Sequence, residues 1–221
     1  DYDVIKILGV DPLKKVVYYQ SAEESPLKRT VCKVDVEKGK ITKLSSKQGT
    51  NIAEFSSGCK YYVNSWSDIQ NPAFITVNDD NGKQIRVIED NNQLKSQISR
   101  LQLSQKEFIT VKSKDGQDLN AWILKPADFD AGKQYPLVMI QYSGPNSQQV
   151  LDKFSIDWES YLVDQGFVVA CVDGRGTGAR GEEFRKCTYM NLGIKESDDQ
   201  IEAAKYFSSL PYVNQDQIGI W

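Results

Sequence analysis

The feature that most constrains the fold is a change in hydrophobic pattern near residue 92. Before it, short segments alternate apolar and polar residues between turns, as in residues 32–37 and 73–77. After it, unbroken apolar runs at residues 137–140 and 167–172 are interleaved with helical patterns. The first pattern predicts antiparallel sheets and the second a parallel α/β sheet. We therefore expect two domains, residues 1–92 and 93–221.

The first domain is predicted to be all β. Its pattern gives about eight strands of similar length, enough for two four-stranded antiparallel sheets. Such a series is typical of a sandwich or of successive blades of a propeller. The sequence contains no strict repeat between the two halves, so both architectures remain open at this point.

The second domain alternates strands and helices from residue 135 onward. Strands are predicted at residues 135–142, 167–172 and 217–221, with helices at 157–165 and 196–209 between them. Asp157 is a suitable N-cap for the first helix, and Gly166 can end it. This order predicts a doubly wound parallel sheet with right-handed crossovers.

Composition excludes several functions. The formal net charge is −3, and no basic cluster is interleaved with aromatic residues, so nucleic-acid binding is not predicted. No segment is long and apolar enough to be a transmembrane helix, and the compartment cannot be read from the sequence. The chain starts without methionine and stops inside the apolar run at residues 218–221, which leads us to expect an internal piece of a longer protein.

The cysteine and histidine counts limit metal chemistry. There are four cysteines, without a CxxC pair, and no histidine, so a zinc site built from both residue types is excluded, although a four-cysteine site is not. Cys32 and Cys171 lie in apolar strand patterns, and we expect them to be buried free thiols. No metal and no cofactor are predicted.

Tyr142 is the candidate catalytic residue. It follows the apolar run at residues 137–140 and precedes the turn signal Gly144-Pro145. In an open α/β sheet, loops at the carboxyl ends of strands form the ligand crevice, where a phenolic O–H could act on a substrate. The alternative is an ordinary strand-end tyrosine whose hydroxyl contacts water or caps a loop carbonyl. Without histidine, no Ser-His-Asp or Cys-His unit can be complete within the chain.

Residues 176–181 (GTGARG) match the dinucleotide-binding pattern GxGxxG after a buried strand. The match begins four residues after Val172, and Glu182 and Glu183 would repel a diphosphate. A tight loop in which Asp173 and Arg175 hold the backbone is the better interpretation. A nucleotide-binding module remains a minor alternative.

Several motifs resemble the prolyl oligopeptidase family of serine peptidases. These are residues 135–138 (YPLV) and 141–148 (QYSGPNSQ). Residues 172–178 (VDGRGTG) and 199–204 (DQIEAA) are similar to the dipeptidyl peptidase IV branch of that family, and residues 86–91 (RVIEDN) resemble the end of its propeller. Asn146 departs from the cysteine of the animal enzymes, a difference confined to a loop.

The resemblance implies the last blades of a β-propeller followed by the first half of an α/β-hydrolase domain. It implies a serine exopeptidase that releases N-terminal dipeptides ending in proline or alanine, with Tyr142 donating its O–H to the oxyanion. The nucleophilic serine, the aspartate, the histidine and the glutamates that grip the substrate amino terminus would lie outside these 221 residues, so the chain alone is expected to be inactive. Peptide substrates, a periplasmic or exported location and a homodimeric parent are further expectations. A non-catalytic binding protein of the same fold is the alternative.

Overall fold

The computed structural model describes residues 2–101 and 103–221. Residues 1 and 102, which fall within the two predicted domains, lie outside the described residues. The chain divides into two compact units. The first runs through Gln97 and also includes Leu151–Ser155, and the second comprises Ile98–Val150 and Ile156–Trp221.

The first unit contains two four-stranded antiparallel sheets. One has the order β1-β2-β3-β4 and the other β5-β6-β7-β8, so each is a meander of consecutive strands, the form of a propeller blade. This confirms the predicted blades. The strands are β1 (Val4–Asp11), β2 (Val16–Ser21), β3 (Thr30–Asp35), β4 (Lys40–Lys43), β5 (Thr50–Phe55), β6 (Tyr61–Ser67), β7 (Phe74–Asp79) and β8 (Gln84–Glu89).

Aspartates at strand ends shape the turns of these meanders. The Asp11 carboxylate accepts hydrogen bonds from the backbone N–H groups of Leu13 and Lys14, and Asp35 accepts from Glu37 and Lys38 in the same way. A short side chain that binds the backbone two and three residues later mimics a turn, which explains why the hairpins begin there. The hydrogen bond from the Lys38 N–H also lowers the pKa of Asp35.

Aromatic side chains form the centre of the first unit. The Tyr18 and Phe55 rings lie 4.5 Å apart, and Phe55 stacks on Tyr62 with centroids separated by 4.6 Å. Tyr18 and Tyr62 are buried, and burial raises the pKa of Tyr62 to about 12. Of the alternating apolar positions predicted in residues 32–37, Cys32 is buried, whereas Val36 is 61% exposed, so the core of the first unit relies on these aromatic side chains instead.

The segment Leu151–Ser155 belongs to the first unit although it lies far beyond Gln97 in the sequence. The Asp152 N–H donates to the Leu27 carbonyl (2.8 Å), and the Thr50 hydroxyl donates to the Asp152 carbonyl (2.8 Å). The Asp152 carboxylate accepts from the Ile69 N–H (3.0 Å), while its burial raises the pKa of this carboxyl.

The second unit is a five-stranded mixed sheet with helices, in the order β13-β11-β12-β10-β9. Strands β11, β12 and β13 are parallel, which confirms the predicted α/β pattern, while β10 pairs antiparallel with β12 and β9. Helix α1 (Asn92–Ile98) lies almost entirely in the first unit, which runs through Gln97. The elements of the second unit are β9 (Glu107–Lys112), β10 (Asp118–Leu124), β11 (Tyr135–Ile140), α2 (Trp158–Asp164), β12 (Val168–Asp173), α3 (Glu182–Lys186), α4 (Lys195–Ser208) and β13 (Val213–Ile220).

The core of this sheet is formed by the apolar segments that the sequence predicts. Every residue of β12 is buried, as its unbroken apolar run predicts, and α4 covers the sheet with Ala203 and Phe207, both fully buried. Asp157 caps α2 by accepting from the Trp158 N–H, as expected. No helix within the described part of the chain combines the length and hydropathy needed to cross a bilayer.

Two strand boundaries and one short helix differ from the sequence prediction. Strand β11 ends at Ile140, so Tyr142 lies in the following loop. Strand β13 begins at Val213 instead of residue 217. Its first half contains the polar residues 214–217, which have no strand pattern, and a register shift in its pairing with β11 accommodates them. Helix α3 was not predicted: it has five residues, too few for a period, and its one buried side chain is Phe184.

Candidate active site

Two loops meet at the carboxyl ends of the parallel strands. Strands β11 and β12 pair from Leu137 opposite Val168 to Ile140 opposite Cys171, so the loops that follow them leave from the same edge of the sheet. The first loop contains Tyr142, and the second begins at Asp173. This edge is where ligands bind in open α/β sheets.

The ring of Tyr142 packs against the backbone of Gly144. A Cβ atom at Gly144 would lie 2.6 Å from Cε1 of the Tyr142 ring and 3.1 Å from Cζ, so only glycine lets the ring rest there. The tyrosine side chain is nevertheless 70% exposed. One side of the ring is thus supported by its own loop, while the hydroxyl remains open to a ligand.

The loop after Tyr142 is tightly turned. Ser143 and Asn146 both have positive φ angles, 51° and 59°, which residues other than glycine rarely adopt. The Ser147 N–H and hydroxyl both donate to the Gly144 carbonyl, at 3.0 and 2.6 Å. These bonds close the turn that the Gly144-Pro145 signal predicted.

Backbone hydrogen bonds join this loop to the glycine-rich loop. The Asn146 N–H donates to the Gly176 carbonyl (2.8 Å), and the Gly178 N–H donates to the Ser147 carbonyl (2.9 Å). The buried Asp173 carboxylate adds two bonds, from the N–H groups of the adjacent residues Gln149 and Val150, at 3.0 and 2.9 Å. The two loops therefore form one hydrogen-bonded layer over the sheet edge.

Asp199 on α4 fixes the second loop through Arg175. Its two carboxylate oxygens accept from the Arg175 backbone N–H (2.8 Å), from Nε (3.0 and 3.1 Å) and from Nη2 (2.7 Å). Both side chains are buried, and Nη1 of Arg175 donates to Asp115. The hydrogen bonds from Arg175 to Asp199 raise the pKa of the guanidinium further, so it stays charged across the physiological range.

Gln200, the next residue of α4, reaches the first loop. Its amide Nε2 donates to the Ser143 hydroxyl (3.2 Å) and to the Val172 carbonyl (3.0 Å). Helix α4 thus holds both loops with two consecutive polar side chains. In the sequence, Asp199 and Gln200 are noticeable only as part of a motif that resembles the family. A signal was available: Asp199 precedes Ala203 and Phe207 at four-residue intervals, which puts a carboxylate on the buried face of the helix.

The glycine-rich loop has close contacts with the protein itself. A Cβ at Gly176 would lie 2.9 Å from Cγ2 of Thr188, and one at Gly178 would lie 3.0 Å from Oδ1 of Asn146. These contacts account for both glycines without a bound diphosphate. The following helix α3 has Glu182 and Glu183 in its first turn, which disfavours an anion there. The geometry supports the tight-loop interpretation.

The cysteines do not come together. All four are free thiols; Cys32, Cys59 and Cys171 are buried, and Cys187 is partly buried. Burial raises the pKa of Cys32 to about 12 and raises that of Cys171 as well, so these thiols stay protonated and unreactive. Within residues 2–101 and 103–221, no three cysteine or carboxylate side chains are grouped as metal ligands.

Comparisons with known proteins identify similar sequences. A family model for the dipeptidyl peptidase IV N-terminal region matches residues 1–73, and one for the prolyl oligopeptidase family matches residues 154–221. A probable dipeptidyl-aminopeptidase B of Neurospora crassa is 34% identical over all of this chain, which covers 24% of that relative. The corresponding protein of Chaetomium globosum is 35% identical with the same coverage.

Two solved structures are also similar. A Porphyromonas gingivalis dipeptidyl peptidase 4 is 54% identical with a TM-score of 0.93, over 100% of this chain and 31% of that one. A putative dipeptidyl aminopeptidase IV from Bacteroides ovatus is 28% identical with a TM-score of 0.84, over 99% and 31%. The chain thus spans less than a third of the length of each of these relatives.

The substitution Asp199→Asn tests the importance of the buried ion pair. It leaves the Arg175 guanidinium buried beside an amide, and we expect a loss of about 3–5 kcal/mol in the free energy of unfolding, measured by urea denaturation. Asp118→Asn is the matched control, because the Lys112–Asp118 pair is exposed and should change stability by less than about 1 kcal/mol. Equal losses in the two variants would contradict this assignment.

Proposed function

Because this chain belongs to the dipeptidyl peptidase IV branch of the prolyl oligopeptidase family, we propose that it is part of a serine exopeptidase. The proposed enzyme removes dipeptides from the amino terminus of peptides, with proline or alanine as the second residue. Support comes from the two family models, which match opposite ends of the chain, and from relatives named as dipeptidyl peptidases.

The observation that carries the proposal is the position of Tyr142. Its ring rests on Gly144 after the carboxyl end of β11, and the residue is 70% exposed. We assign this hydroxyl as a hydrogen-bond donor to the oxyanion of the tetrahedral intermediate. A donor held in place before the negative charge develops stabilises the transition state by about 3–4 kcal/mol.

The other catalytic groups are proposed to come from residues beyond these 221. The chain has no histidine, so the base that takes the proton from the nucleophilic serine must be supplied elsewhere in the protein. In the proposed reaction the serine oxygen attacks the peptide carbonyl, the histidine accepts its proton and then protonates the leaving amine, and Tyr142 donates to the oxyanion. Tyr142 is the part of this machinery that we assign to the present chain.

A pair of chromogenic substrates tests the activity. We expect the full-length protein to release p-nitroaniline from Ala-Pro-p-nitroanilide, and the 221-residue chain alone to release none, because it lacks a histidine base. The second substrate is the same compound with a succinyl group on its amino terminus. It has no free amino terminus and should not be cleaved, which distinguishes an exopeptidase from an endopeptidase. If the full-length protein cleaves neither substrate, a non-catalytic binding protein becomes the better explanation.

The role of Tyr142 is tested by Tyr142→Phe in the full-length enzyme. Removing the hydroxyl should lower kcat by about 10²–10³ and change KM little, because the bond forms mainly in the transition state. Tyr161→Phe is a matched control: Tyr161 is also an exposed tyrosine of the second unit, but it stacks on Trp158. A decrease in kcat of less than about tenfold for Tyr142→Phe would remove Tyr142 from the mechanism.

The family resemblance also leads us to propose a periplasmic or exported location and a homodimeric enzyme. Both proposals rest on that resemblance. Cell fractionation followed by light scattering of the purified full-length protein measures both. Recovery in the cytoplasmic fraction, or a monomeric mass, would contradict the respective proposal.

A further inference from the structure

Gln200 makes an unusual set of contacts for a buried amide. It is 8% exposed, and its Nε2 donates to the Ser143 hydroxyl and to the Val172 carbonyl. Its Oε1 is buried and has no hydrogen-bond partner among the described residues. Reversing the amide would bring this oxygen against the Val172 carbonyl, which can only accept, so this carbonyl fixes which end of the amide faces it.

Ser143 needs such a contact. Its φ of 51° lies in the left-handed region, which costs free energy for any residue with a side chain. A residue keeps this conformation only when its surroundings impose it. The hydrogen bond from Gln200 reaches the side chain of Ser143, and Ser143 is the residue directly after Tyr142. The bond from α4 therefore restrains the residue that lies between Tyr142 and Gly144, the glycine on which the ring rests.

We propose that Gln200 is a positioning residue for Tyr142, acting through Ser143 to aim the tyrosine hydroxyl at the oxyanion. The inference rests on the proposed catalytic role of Tyr142 and extends it to a residue on a different element. Gln200 itself contacts Ser143 and the end of β12, so its effect on the reaction is transmitted by the loop backbone.

Burial alone does not account for an amide at this position. An apolar side chain of similar size would fill the same space without leaving a carbonyl oxygen unpaired, which is costly in a protein interior. Asp199 and Asp173 already secure other parts of the two loops, at Arg175 and at residues 149–150. What Gln200 adds is the restraint on Ser143, beside the proposed oxyanion donor.

A double-mutant cycle in the full-length enzyme tests the inference. The variants are Gln200→Leu, Tyr142→Phe and the combination, with active sites counted by an organophosphonate that labels the nucleophilic serine. We expect Gln200→Leu to lower kcat about tenfold at nearly unchanged KM, since a small displacement of a catalytic group has an effect of this order or larger. When Tyr142 is already phenylalanine, the same substitution should lower kcat less than twofold.

Two further variants keep the test decisive. Ser143→Ala removes the same hydrogen bond from a partly buried loop position, and should show the same dependence on Tyr142 if Gln200→Leu does not fold. Ile201→Ala changes the neighbouring exposed residue of α4 and should leave kcat unchanged. A purely structural role for Gln200 would lower the number of active sites without changing the turnover of each site.

The outcomes separate this inference from the proposed function. If Gln200→Leu lowers kcat by the same factor with and without the Tyr142 hydroxyl, or does not lower it, the positioning role is overturned while the catalytic role of Tyr142 stands. If Tyr142→Phe alone leaves kcat unchanged, the proposed role of Tyr142 fails, and the positioning role fails with it. Loss of activity that depends on the Tyr142 hydroxyl supports the inference.

Discussion

The buried ion pair between Asp199 and Arg175 is the interaction on which the site depends. A carboxylate on the core-facing side of a helix is costly unless it is fully paired, and here the backbone and guanidinium of one arginine pair with it. Because both groups are desolvated, the pair admits little variation in geometry. It therefore locks α4 to the loop after β12, and Gln200, one residue further along, is delivered to the loop after β11.

This arrangement shows why the fold was easier to predict from sequence than the site. Buried strands such as β12 are uniformly apolar, and the two meanders alternate with turn residues between their strands, so the hydrophobic period reports them directly. Elements that lack a clear hydrophobic period were predicted with wrong bounds or not predicted. Strand β13 contains a polar stretch that its pairing with β11 tolerates, and α3 is a single turn held by Phe184.

Sequence patterns mark some polar residues of the site, such as Asp173, Arg175 and Asp199, but they do not predict which residues these pair with, for a physical reason. The hydrogen bonds of the site join residues far apart in sequence, such as Gln200 and Ser143, and periodicity describes only neighbours along one element. Tyr142 could be predicted as a candidate because it lies between a recognisable apolar strand and a recognisable turn signal. The ring contact with Gly144 could not, since it depends on a loop conformation that the sequence does not specify locally.

Under the proposed role of Tyr142, these contacts act together to preorganise its side chain. An exposed tyrosine gains little as an oxyanion donor if its ring is free to rotate, because ordering it during the reaction would consume the stabilisation that the bond provides. The missing Cβ of Gly144 lets the ring lie against the loop backbone, and the left-handed Ser143 turns the chain between Tyr142 and Gly144. A restraint on Ser143 from outside the loop is then needed, because the strained conformation does not maintain itself.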